Sequence, residues 1–179
     1  MKVSFELSNR DLAYFRDRLK RIRKSLDTGD ERRVLRGATS MMQEARDSNP
    51  PEFVLERLVK LEQLIAMLRD GEWRLEGRDR VRILDALAYF VDPEDMIPDR
   101  LPGIGYLDDA IMVELICQEL RHEIKAYEDF CAFRETKGQD PDSLEARRKG
   151  LQARMRRRNR RDREAARDRP RGRSPFRLF

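Results

Sequence analysis

The chain has 179 residues, of which 39% are hydrophobic and 41% charged, and its mean hydropathy is −0.82. This suits one domain with a moderate core and solvated extensions, and no uncharged apolar run approaches the roughly 20 residues a membrane-spanning helix needs. Charge is unevenly placed: from Arg147 to Phe179 there are 15 Lys and Arg against 3 Asp and Glu, a net +12, which leaves −7 for residues 1–146 of the total of +5.

The opening stretch MKVSFELSNRDL has no apolar segment followed by a cleavage site, so export is not expected. A first helix is predicted from about Ser8 to Asp27, with Leu12, Phe15, Leu19, Ile22 and Leu26 recurring at alternate spacings of 3 and 4. After the turn at Asp27–Asp30, a second helix runs to about Asp47, with Val34, Ala38, Met41 and Ala45 on one side. Asn49-Pro50-Pro51 stops it. A third helix, about Pro51 to Arg69, repeats the seam with Val54, Leu58, Leu61, Ile65 and Leu68. These seams pair within the chain, with a helical partner or with a second copy; heptad spacing does not choose. The only tryptophan, Trp73, follows in a short connection and reads as a lid on the core.

A fourth helix is expected from about Arg78 to Val91, apolar at Val81, Leu84, Leu87, Ala88 and Val91. A fifth, the longest, is expected from about Leu107 to Thr136, its stripe traced by Val113, Ile116, Leu120, Ile124, Tyr127 and Cys131. His122 points away from that stripe and reads as a solvated imidazole. Cys117 and Cys131 lie 14 positions apart in this helix, about 21 Å at 1.5 Å per residue, too far to bridge. A reduced, cytoplasmic setting follows. One histidine and two separated cysteines also leave no ordinary zinc ligand set. A sixth helix is expected to begin near Asp142, with a thin apolar edge at Leu144, Leu151 and Met155; beyond Met155 little remains to bury, and that stretch is expected to be disordered alone or ordered only by a partner.

Between the fourth and fifth helices lies AYFVDPEDMIPDRLPGIGYLDD, rich in proline, glycine and acid. Pro93, Pro98 and Pro102 fix φ and Gly105 relaxes it, so the connection is shaped. The pattern AYFxxPxDxIPDxxPxxGYLDDA, carried by Ala88, Tyr89, Phe90, Pro93, Asp95, Ile97, Pro98, Asp99, Pro102, Gly105, Tyr106, Leu107, Asp108, Asp109 and Ala110, resembles the signature of the YkvA-like family. The resemblance implies a small helical domain of unknown function, extending over flanking helices from about Arg78 to Phe133. It implies no chemistry. Asp92 and Glu94 depart from the family pattern, where a small and an apolar residue are usual, and make the turn more acidic.

Three groups of residues carry candidate functions. Asp92, Asp95, Asp99, Asp108 and Asp109, with Glu94 and Glu114 nearby, offer oxygen ligands of the kind Mg²⁺ or Ca²⁺ takes, and a metal-dependent reaction would follow; the same carboxylates fit helix caps, with Pro93 at the first helical position. No other cofactor is implied. Ile104, Tyr106 and Leu107 form either a docking knob or a staple on their own helices. The basic tail, with Arg154, Arg156, Arg157, Arg158, Arg160, Arg161 and Arg163, suits a polyanion, RNA or other nucleic acid first. An anionic membrane comes second, with Phe176, Leu178 and Phe179 as an apolar insertion beside the charge. That would place the protein at the inner face of the membrane.

The sequence thus predicts an all-α bundle of about five to six helices: an N-terminal unit over 1–72, a YkvA-like unit over 73–140 and a basic extension over 141–179. Its expected role is that of a non-catalytic binding or scaffold protein attached through its tail.

Overall fold

The computed structural model describes residues 31–91, 107–137 and 140–167, with six further positions between 10 and 21. The architecture is all-α, as expected. Six α-helices and one 3₁₀ helix make up the described elements: α1 (Glu31–Asp47), α2 (Glu52–Arg69), α3 (Gly77–Leu87), the 3₁₀ helix Ala88–Val91, α4 (Leu107–Glu119), α5 (Arg121–Lys137) and α6 (Pro141–Arg167). The expected first helix lies largely outside the described residues. Those of its positions that are described (Arg10, Ala13, Tyr14, Asp17, Lys20 and Arg21) are helical and exposed.

Helix α1 buries Val34, Ala38, Met42 and Ala45, so Met42 rather than Met41 faces the core fully. It ends where Asn49 takes a left-handed backbone (φ 54), a conformation Asn tolerates better than most residues, and the following Pro50-Pro51 cannot continue a helix. Helix α2 starts at once, the N–H of Val54 donating to Pro51 O at 2.9 Å. All five residues of its predicted seam are buried, joined by Leu64, Met67 and the aliphatic stem of Arg57. Helix α2 is apolar on more than one side because α1, α3, α4 and α5 all pack against it.

The turn after α2 is built on Asp70. Its Oδ1 accepts the backbone N–H groups of Glu72 (2.9 Å) and Trp73 (3.0 Å), and its Oδ2 accepts Tyr127 Oη (3.0 Å) and Arg134 Nη1 (2.9 Å) from α5. This turn inserts Trp73, which is fully buried between Tyr127 and Phe130, with ring centroids at 5.7 and 5.2 Å. Trp73 is therefore a centre of the core and not a lid over it. Arg80 on α3 closes the same corner, pairing with Glu31 of α1 while donating to Leu68 O (2.9 Å) and Leu75 O (3.2 Å).

The fourth expected helix is shorter than predicted, because its last turn tightens into the 3₁₀ helix at Ala88. Ile83 takes the buried position, and Val81 is 40% exposed. The long fifth helix is two: it breaks at Leu120, although Leu120 N–H still reaches Ile116 O (2.8 Å) and Ile124 N–H reaches Leu120 O (3.0 Å). Helix α4 is buried at Ala110–Val113 and Leu115–Cys117, apolar nearly all round, and α2 shields it. At 13 residues it spans about 20 Å. Helix α5 is one-sided, burying Glu123, Ala126, Tyr127 and Phe130, while Ile124 and Cys131 are only partly covered. Both cysteines are free, and burial pushes the Cys117 thiol up to about 12, so it is an inert core group. The buried side chains from Val34 to Met155 form one cluster, and the bonds Asp70–Arg134 and Gln152–Trp73 cross the predicted boundaries at 72 and 140.

Burial raises the Asp70 carboxyl, but the Trp73 and Glu72 amides, Tyr127 and Arg134 outweigh it and hold the group below its ordinary 3.8. A depressed folded value means that this stabilisation is complete above about pH 4 and is lost as pH falls through the folded value. Asp70→Asn keeps the shape and removes the charge, turning a donor toward Arg134. Urea unfolding should show a loss of about 2 kcal/mol at neutral pH, the scale of hydrogen bonds to a charged group, and a weaker acid dependence below about pH 4. Equal unfolding midpoints for the two proteins at neutral pH would count against this role for Asp70.

Candidate functional site

Helix α6 is the element with the least apolar surface and the most charge. Its start is fixed locally: Asp140 Oδ2 accepts the Ser143 N–H at 3.0 Å, and Pro141 occupies the first helical position, where its missing N–H costs nothing. Its buried face consists of Leu144, Leu151, Gln152, Met155 and Asn159, laid mainly against α5. Two of these are polar, and each has a buried acceptor. Gln152 Nε2 donates to Trp73 O at 2.7 Å, and Asn159 Nδ2 donates to Glu123 Oε1 at 3.0 Å.

Glu123 is fully buried where α3, α5 and α6 meet. Its Oε1 also takes Arg82 Nη1 from α3, and Arg82 Nη2 reaches Glu119 O at 3.3 Å. Next to this group Arg156 of α6 pairs with Asp79 of α3 at 3.4 Å. One turn on, Asp162 of α6 accepts from Arg121 and lies 2.7 Å from His122 Nε2. His122 is therefore no lone solvated imidazole: it helps to anchor α6, and with Arg121 it holds the Asp162 carboxyl below its usual range. Forty residues separate the partners, which is why helix spacing hid the contact. Because of these bonds the helix continues past Met155, where apolar burial ends, as far as Arg167.

The seven candidate arginines divide into two groups. Arg156 is paired with Asp79, Arg160 with Glu164 at 3.6 Å, and Arg163 donates to Asn159 O at 3.1 Å. Arg154, Arg157, Arg158 and Arg161 are all exposed and have no acidic partner among the described residues. Their spacing of i, i+3, i+4, i+7 puts them on one outward side of α6, over about 10 Å of helix length. None of the outward residues from Ala153 to Arg167 is aromatic.

The acidic loop residues Asp92, Glu94, Asp95 and Asp99, with Pro93, Pro98, Pro102, Ile104, Gly105 and Tyr106, lie outside the described residues, as do Phe176, Leu178 and Phe179. Leu107, Asp108 and Asp109 belong to the first turn of α4, and their side chains are likewise outside the description. Glu114 pairs with Lys60 at 2.8 Å and Arg57 at 3.5 Å. Among the described residues no three His, Cys, Asp or Glu are grouped to hold a metal.

Fold and site together define a helical protein in which a cationic C-terminal helix is clasped to an apolar core. Residues 79–115 match the family described as a protein of unknown function (DUF1232), so this part of the chain is a YkvA-like segment, as its signature implies. The chain is also 33% identical over 67 residues to a Bacillus subtilis (strain 168) protein called "Uncharacterized membrane protein YkvA"; the match takes in 37% of this chain and 63% of that relative. No solved structure matches. Asp79, which pairs with Arg156 of α6, and Arg82, which pairs with Glu123 of α5, fall inside the family segment, whereas α6 itself lies outside it.

Burial pushes the Glu123 carboxyl above its ordinary 4.5, against the pull of Arg82 and the Asn159 hydrogen bond, with Asp79 adding to the rise. A raised folded value means that the folded chain holds this proton more tightly than the unfolded chain. The group's contribution is thus least favourable in alkali and improves as pH falls through the folded value towards 4.5. Urea unfolding followed by the fluorescence of Trp73, between about pH 8 and pH 5, should show the wild type gaining stability relative to Glu123→Gln as pH falls. A pH-independent difference would mean that Glu123 titrates alike in both states.

Proposed function

We propose that this is a non-catalytic binding protein that attaches to nucleic acid through the outward face of α6. The observation that supports the reading is the set of four arginines, Arg154, Arg157, Arg158 and Arg161, with no acidic partner among the described residues, on one side of a helix whose neighbouring arginines are already engaged. Guanidinium groups bind phosphate oxygens in a planar fork, and phosphate contacts supply most of the affinity in sequence-independent nucleic-acid binding. The apolar side of α6 is spent on α5, with Leu144, Leu151 and Met155 buried. The helix therefore has no free apolar face with which to lie in a bilayer, the usual requirement of an interfacial helix.

One observation favours a second reading. The relative from Bacillus subtilis is named a membrane protein. Among the described residues no helix is long and apolar enough to cross a membrane, so a membrane role would be peripheral: charge from the tail, with Phe176, Leu178 and Phe179 inserted.

The test compares the full chain, the variant Arg154→Gln/Arg157→Gln/Arg158→Gln/Arg161→Gln, and a chain lacking residues 176–179, each titrated with a structured RNA and with phosphatidylserine-containing vesicles over a salt series. Nucleic-acid attachment requires at least a tenfold loss of RNA affinity in the quadruple variant at unchanged helix content, and near-normal RNA affinity in the truncation. Unchanged RNA affinity in the quadruple variant would reject the reading. Vesicle binding that depends on residues 176–179, without RNA binding, would install the membrane in its place.

A further inference from the structure

The four arginines also bear on which form of nucleic acid fits, an inference that rests on the nucleic-acid reading above. Single strands are held by a combination of cationic groove and aromatic side chains on which bases stack. The outward residues of α6 from Ala153 to Arg167 include no Phe, Tyr or Trp, and no Asn or Gln to read a base edge. Arginine can also cover a base, but it does so best when its guanidinium plane is already held flat by packing. In this chain that applies to Arg134 over Phe130 (5.4 Å) and Arg147 over Phe133 (5.3 Å), not to the exposed four.

What the stripe does offer is fixed spacing. The helix is continuous from Pro141 to Arg167 and anchored along its length by Gln152, Asn159, Arg156 and Asp162. Four charges held over about 10 Å of a rigid helix suit an array of phosphates that is itself rigid, such as the strands bordering a groove of a duplex, whose major groove in B-form is about 12 Å wide. A flexible strand would have to be ordered to meet them.

We infer that the ligand is the phosphate backbone of a double helix, RNA or DNA, gripped at about four phosphates without reading sequence. On B-form DNA four contacts give a slope of log K against log salt of about −3.6, or roughly a 150-fold loss of affinity between 50 and 200 mM salt.

The experiment uses the full chain with a duplex DNA of about 20 base pairs, the duplex RNA of the same sequence, a scrambled duplex, and one single strand of each sugar. The expected result is tighter binding to a duplex than to its single strand, equal binding to both sequences, and a DNA slope near −3.6. Arg157→Gln/Arg158→Gln should lower that slope by about 1.8, whereas Arg160→Gln, which removes an already paired group, should leave it in place. Whichever duplex binds more tightly identifies the source of the phosphates. Single strands that bind as tightly as duplexes, or a slope indifferent to Arg157→Gln/Arg158→Gln, would overturn the duplex inference while leaving nucleic-acid attachment standing. Vesicle binding with no affinity for any of these nucleic acids would overturn both.

Discussion

A single carboxylate sets the geometry on which the rest of this chain depends. Asp70 accepts four hydrogen bonds, two from the backbone of its own turn and two from Tyr127 and Arg134 on α5. Burying a charged oxygen pair in this way is costly unless each lone pair is used. Here the donors come from both sides of a helix corner, so satisfying the carboxylate and docking α5 on α2 are the same event. The turn it closes delivers Trp73 to the core and aims the Trp73 carbonyl at Gln152. Asp70 thereby reaches α6 without touching it.

This chain of bonds explains how α6 is held. Three apolar side chains are a thin attachment for a helix of 27 residues, most of whose turns carry arginine. The difference is supplied by donors on α6 that meet acceptors already buried in the body: Gln152 at Trp73 O and Asn159 at Glu123. Surface pairs such as Arg156–Asp79 and Arg121–Asp162 add direction more than energy, since half-exposed ion pairs are worth at most about 1 kcal/mol each. The body is acidic and the tail basic, yet among the described residues only some of the tail's cations, such as Arg156 at Asp79, are taken up by the body's carboxylates. Geometry, not charge balance, decides which arginines are left over.

Much of the fold was legible from spacing alone. The seams of α1 and α2 were readable because each helix keeps a 3–4 repeat of apolar residues on a buried side: three of the four α1 positions and all five α2 positions read in this way are buried, although α2 also buries Leu64 and Met67 against its further partners. Legibility failed where burial was not one-sided. Helix α4 is apolar nearly all round, so no stripe marked its end at Glu119, and the break at Leu120 comes without proline or glycine to announce it. On α3 the apolar spacing points to Val81 and passes over Ile83, whereas Ile83 is buried and Val81 is exposed. For the site, composition pointed to the tail but could not sort its arginines. The partners of Arg156 and the anchors His122 and Glu123 lie 36 to 77 positions away from α6 residues they bind, beyond the reach of any local pattern.

The unopposed stripe is also a standing cost to the protein that carries it. Like charges at i, i+3 and i+4 on a helix repel by a few tenths of a kcal/mol per pair, and Arg154, Arg157, Arg158 and Arg161 contain several such pairs. From Arg160 to Arg167 the residues of α6 are exposed, and Asp162, bonded to Arg121 and His122, is what ties these turns to the body among the described residues. A helix in that condition is poised against its own charge and held by its buried polar anchors. A polyanion that neutralised the stripe would remove the repulsion at the same time as it formed its contacts. The anchors at Gln152 and Asn159 then do more than attach a tail: by keeping the helix formed in advance, they spare a ligand the ordering entropy that a loose arginine-rich segment would demand.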